Sequence, residues 1–222
     1  MLQSVVYKEW IKTRWFLLIL LVLGLLVIGN MYLKVQHAIT FNGANKYWYL
    51  VLFQNQIYYK GLKFIPIAIG LAVAIAQYIP EIMNKRIKLT FHLPVNENKV
   101  LLLMLSYGIV VLLASYLILF IVFTILSNSK LPPEVVHTAI SSITPWFLAG
   151  FAAYFLGAMV ILEAIWKYRI AYFIASCAFI LFYFEKSIAG GYALMNWKLV
   201  ILTVIISTSL LFSAYRFRKG EM

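Results

Sequence analysis

The 222-residue chain is 64% hydrophobic and 12% charged, with mean hydropathy +0.91 and a formal charge of +12 from 19 Lys and Arg against 7 acids. A soluble domain carries about twice that share of charged residues, so this composition excludes an ordinary soluble globular protein and points to an integral membrane protein. The positive balance, which on a soluble chain would suggest nucleic acid, here sits between apolar runs, where cations set topology and meet anionic headgroups.

Residues 1–14 alternate apolar and cationic positions at helical spacing. Val6, Trp10 and Thr13 share one side, and Lys8, Glu9 and Lys12 fall on others. The pattern suits a helix lying flat in the interface with Tyr7 and Trp10 at headgroup depth, or the flank of the first span. The following run exceeds the h-region of a signal peptide and no small-x-small site follows it, so it reads as a retained span.

Six apolar runs are expected to cross the membrane, at 15–33, 61–79, 100–126, 145–166, 170–184 and 197–217. All but the fifth approach or exceed the roughly 20 residues that a hydrocarbon core of about 30 Å requires. With the N-terminus inside, every arginine (Arg14, Arg86, Arg169, Arg216, Arg218) falls on the inner side, which favours both termini in the cytoplasm. The expected class is an all-α polytopic protein forming one transmembrane domain over 1–222.

Between the first two spans, Tyr47, Trp48, Tyr49, Phe53, Tyr58 and Tyr59 suit a helix on the outer interface. Pro132-Pro133 break any helix in the next outer loop. Gly190-Gly191 in 185–196 read as a turn or a short re-entrant hairpin. Small residues four apart, Ala68/Ala72/Ala76 and Ala149/Ala153/Gly157, place spans two and four against protein. Asn30, Gln77, Ser106, Ser115 and Ser176 are the polar residues within spans, and interhelical hydrogen bonding is their expected role.

The inner segment 80–99 is the candidate functional stretch. Pro80 is expected to end the second span. Glu81 would open a new helix, where its carboxylate favours the N-terminal dipole. Met83, Ile87 and Phe91 make an apolar stripe at four-residue spacing, while Asn84, Lys85, Arg86 and Lys88 face elsewhere, and Pro94 stops the helix. Such an amphipathic helix fits a groove on a partner or a surface of anionic lipid.

Reactive constellations are missing. No zinc-peptidase, nucleophile-elbow, Cys-pair or phosphate-loop motif occurs, so an enzyme is not expected and any ATP-driven work belongs to a partner. His37, His92 and His137 lie in three loops and are not expected to share a metal. Lone Cys177 has no internal partner for a disulfide. The one ionisable residue clearly inside a span is Glu163, four residues before Lys167. The two read as an ion pair on one helix face, or Glu163 as a buried acid used in gating or proton coupling.

Six spans, inner termini, an N-terminal segment with Lys8-Glu9 and a basic second loop together resemble the membrane subunit of ABC-2 type transporters. In that loop Glu81, the aliphatic Ile87 and the closing Leu93-Pro94 match the family's pattern, whereas Lys85-Arg86 stand where a Gly-Thr step is usual. Tyr7, Lys8, Glu9 and Trp10 are similar to the family's elbow helix. The resemblance implies a bacterial inner-membrane permease that pairs with a second permease subunit, as homodimer or heterodimer. Two separate ATPase subunits would carry ATP and Mg and push on 81–90, and a lipid, lipid-linked glycan or amphipathic peptide would move outward. This chain would bind no cofactor of its own and no nucleic acid, with membrane lipid around it. Two other readings stay open: a non-transporting anchor or sensor for a cytoplasmic partner, and an ion-coupled transporter using Glu163.

Overall fold

The computed structural model describes residues 2–54, 56–83, 97–163, 165–184 and 195–219, and among them every regular element is helical. The order is α1 (Leu2–Asn42), α2 (Ala44–Phe53), α3 (Ile65–Met83), α4 (Glu97–Asn128), α5 (Pro133–Leu162), α6 (Trp166–Leu181) and α7 (Asn196–Lys219), with 3₁₀ turns at Lys60–Leu62 and Phe182–Phe184. Five stretches are long and apolar enough to cross a membrane: Ser4–Phe41, Lys60–Met83, Leu102–Asn128, Pro133–Leu162 and Trp166–Phe184. The apolar part described for α7, Asn196–Thr208, is shorter.

The helices form a bundle organised around α5, which packs against α3, α4, α6 and α7, while α1 lies against α3 and α4. The α3–α5 contact is backbone-tight. A Cβ built on Gly70 would collide with the Gly150 carbonyl oxygen. One built on Gly150 would strike the Tyr116 hydroxyl and stand 2.7 Å from the Pro66 carbonyl oxygen, which accepts a 2.8 Å hydrogen bond from that hydroxyl. Lipid tails are as apolar as leucine, so such close approach, rather than burial from water, holds membrane helices together. The expectation for span four holds, since Ala149 and Ala153 are fully buried and a Cβ on Gly157 would touch Leu71. Span two also packs against protein, on a face only partly that of its alanines: Ala76 is buried and Ala68 exposed, while Ile69, Gly70, Val73, Ala74 and Gln77 are turned inward.

Prolines interrupt less than the sequence suggests. Span four does not begin at Pro145; α5 begins at Pro133, with Pro132 as its N-cap, and carries Pro145 inside it. A helical proline leaves the carbonyl four residues earlier without its amide donor. Here that carbonyl, on Ser141, accepts Asn196 Nδ2 at 3.2 Å, so the start of α7 satisfies it. Pro80 likewise lies inside α3, which continues to Met83.

Residues 1–14 do not form a separate elbow. Helix α1 runs unbroken through both the basic segment and the first apolar run, and its 41 residues reach about 60 Å, twice the hydrocarbon thickness. At its far end Gly43, with φ +77°, supplies the left-handed backbone that lets α2 fold back. Tyr47 of α2 is buried with Val35, Leu131, Val135 and Val136, whereas Tyr49 and Phe53 stay exposed. Near that end, Phe64 and Phe184 stack 6.0 Å apart with the Lys63 ammonium over the Phe184 ring. The Tyr183 and Thr203 hydroxyls, 2.9 Å apart, tie the 3₁₀ turn after α6 to α7. The fifth span starts at Trp166, earlier than expected. The proposed turn or hairpin at 185–196 lies outside the described residues apart from its last two.

The glycine contact gives a direct test. Gly70→Ala should lower stability by about 1–3 kcal/mol through overpacking against backbone. Gly29→Ala, where nothing lies within 4 Å of the added carbon, should be neutral or stabilising by up to about 1 kcal/mol. Thermal melts of the two variants in one detergent check both.

Candidate functional site

The N-terminal end of the bundle holds a buried charge cluster drawn from α1 and α3. On α1, Lys8, Glu9, Lys12 and Thr13 are spaced so that Lys8 and Lys12, and Glu9 and Thr13, are each four apart and share a face. On α3, Gln77 and Glu81 are likewise four apart. Glu9 and Glu81 are both fully buried, and the Lys12 side chain is 10% exposed. Lys12 Nζ bridges the two acids, donating to Glu9 Oε1 at 2.7 Å and to Glu81 Oε1 at 2.5 Å. Lys8 Nζ, on a side chain 37% exposed, reaches the same Glu81 oxygen at 2.8 Å. Two ammonium groups face two carboxylates, and the formal charge of the cluster is zero.

This neutrality is a physical requirement. An ion taken into a low-dielectric interior loses several kcal/mol of solvation, which only a close partner of opposite charge offsets. Glu81 does not open a new helix after Pro80: it continues α3, two residues before Met83, the last described residue of that helix. Glu9 Oε2 and Glu81 Oε2 remain buried without a hydrogen-bond partner among the described residues.

Polar side chains continue the cluster into the bundle. Thr13 Oγ1 donates to the Glu9 carbonyl at 3.0 Å and stands 2.7 Å from the Tyr107 hydroxyl of α4. One turn before Glu81, Gln77 donates through Nε2 to the Met104 carbonyl at 2.7 Å. Its Oε1 accepts the Tyr154 hydroxyl of α5 at 2.9 Å. Tyr78 lies 3.3 Å from the Tyr154 hydroxyl. Gly108 makes room for this arrangement, since a Cβ there would run into the Tyr154 hydroxyl. Four helices therefore meet around a polar thread that begins at Glu9 and Glu81.

Of the residues singled out in the sequence, Lys8, Glu9 and Glu81 are brought together, while Tyr7, Trp10 and Met83 are exposed around them. Asn84, Lys85, Arg86, Ile87, Lys88, Phe91 and Pro94 lie outside the described residues. Glu163 is buried but shares no helix with Lys167: α5 ends at Leu162, Glu163 caps it with extended backbone, and Lys167 is exposed on α6. Its carbonyl oxygen accepts Arg169 Nε at 3.0 Å and Nη2 at 2.6 Å. Gln77 does bond between helices, but Ser106, Ser115 and Ser176 donate to carbonyls of their own helices. Lys12, Thr13, Tyr78, Tyr107 and Tyr154 were not expected at the site. The spacing of Glu9 to Thr13 and of Gln77 to Glu81 carried the signal. Among the described residues no group of three or more His, Cys, Asp or Glu is placed to hold a metal.

No family model, curated protein or solved structure matches the chain.

The two lysines should differ sharply on truncation. Lys12→Met leaves two buried carboxylates without their shared partner and should lose about 3–5 kcal/mol. Lys8→Met removes a partly solvated pair and should lose about 1 kcal/mol or less. Chemical denaturation in detergent measures both, and equal losses would contradict the assignment of Lys12 as the bridge.

Proposed function

We propose that this chain is the membrane-spanning permease subunit of an ATP-driven exporter of the ABC-2 type. It would work as a homodimer or heterodimer with two separate ATPase subunits in a bacterial inner membrane, with six spans and both termini in the cytoplasm. The observation that carries the reading is the grip of Lys8 and Lys12 on Glu81, two residues before the end of α3. Segment 84–96, which holds the amphipathic pattern, follows directly. A push delivered there by a partner reaches a helix end that is ionically tied to α1 and, through Gly70 and Gly150, packed backbone to backbone on α5. Force applied to such a point moves packed helices as a body instead of bending one of them.

Export further requires that cargo bind the two states with different affinity. Broad apolar faces on α1 and α6, including Phe16, Leu26, Phe173, Ile174 and Leu181, are exposed and suit lipid or a second subunit. A path between two copies, lined by α3 and α6, suits a lipid, a lipid-linked glycan or an amphipathic peptide. A second reading, a non-transporting anchor or sensor for a cytoplasmic partner, draws support from the closed α3–α5 contact within one copy.

Replacing Ile87 and Phe91 together with Asp should abolish co-purification of the ATPase while membrane insertion is retained. Normal co-purification would refute docking at this segment. Cargo-stimulated ATP hydrolysis by the assembled complex separates the exporter from the anchor, which would show no stimulation.

A further inference from the structure

At the same end of the bundle an open groove of about 310 Å³ lies between the closing turns of α3 and α5 and the first turn of α6. Among the described residues its walls are Ile79, Ile82, Met83, Val160 and Ile161, and Arg169 is the one polar residue lining it. The guanidinium is held in place: Nε and Nη2 bond the Glu163 carbonyl, and its carbon stands 5.4 Å from the Trp166 ring centroid. Two of five N–H groups are thereby used, and the planar fork is oriented before any ligand arrives.

We propose that this groove holds one anionic phospholipid from the leaflet at the N-terminal end, its phosphate on Arg169 and one acyl chain along the apolar walls. Met83 on the groove wall is 76% exposed, and Trp166, whose ring lies against the Arg169 guanidinium, is 68% exposed, an aromatic residue of the kind that settles at headgroup depth. The nearby acid, Glu163, gives the guanidinium its backbone carbonyl, and its side chain is buried.

The physics separates the roles of wall and cation. A chain leaving bulk lipid for this groove exchanges one apolar environment for another and gains little. Preference among lipids therefore rests on the headgroup, where a guanidinium matches a phosphate and anionic lipids are drawn to basic residues at the surface. A zwitterionic lipid of identical chains fills the same groove without that preference. The inference needs only that the chain resides in a bilayer, and failure of the export reading leaves it untouched.

Native mass spectrometry of the detergent-purified full chain, with phosphatidylglycerol or phosphatidylcholine of identical acyl chains added, tests it. Wild type should carry about fivefold more phosphatidylglycerol than phosphatidylcholine, as one added charge contact implies. Arg169→Gln should remove that preference and Arg169→Lys should keep part of it. Val160→Trp, which fills the groove, should lower adducts of both lipids. Equal adducts of the two lipids on wild type, or adducts unchanged in Arg169→Gln and Val160→Trp, would overturn the proposal. So would displacement of phosphatidylglycerol by millimolar inorganic phosphate, which would mark a bare anion site. Circular dichroism confirms the fold of each variant, and where Arg169→Gln loses its helix content Val160→Trp and Arg169→Lys decide.

Discussion

A carboxylate at the end of an apolar helix cannot stand alone, and the N-terminal end of this molecule is arranged around that constraint. Glu81 is fully buried on α3, where desolvation opposes its charge. Lys8 and Lys12 of α1 supply the compensating charge. Lys12 is shared with Glu9, so the first turns of α1 are fixed to the last turn of α3. The length of α1 follows the same logic. Its basic beginning has a partner inside the bundle and therefore continues the span without a break.

From this anchor the interior is built in alternating fashion, with close backbone contacts where glycines allow them and hydrogen bonds where polar groups must be satisfied. Gly70 and Gly150 let α3 and α5 touch; Gly108 clears space for Tyr154, which in turn satisfies Gln77. Each device depends on the others, because a shift of α3 that relieved one contact would strand a polar atom in a low-dielectric core. The result is a helix held on two sides, by charge against α1 and by close backbone contact against α5.

Much of this was legible in the residues. The long apolar runs located five of the helices, and the Ala149/Ala153/Gly157 spacing identified a packed face of α5. The prolines misled. Pro80 and Pro145 read as boundaries, yet in a membrane bundle a freed carbonyl finds another donor, as Ser141 does in Asn196. The charge cluster was half visible. Lys8, Glu9 and Glu81 were each singled out, but a local pattern does not show that residues 69 positions apart, Lys12 and Glu81, meet. Tyr107 and Tyr154 were hidden for a different reason: in a chain with 15 tyrosines nothing local marks which hydroxyls turn inward. The pairing of Glu163 with Lys167 on one helix face fails because α5 ends at Leu162 and α6 opens only at Trp166, and helical spacing loses its meaning across that break.

The central claim is that one ammonium group joins α1 to α3 through a bond that both helices need. A double-mutant cycle on Lys12→Met and Glu81→Gln, read from chemical denaturation in detergent, addresses it most directly. The account predicts a coupling energy of about 1–3 kcal/mol, the range found for groups in direct contact within one network. Additive losses, with coupling indistinguishable from zero, would show that the two side chains do not act on each other and would contradict it.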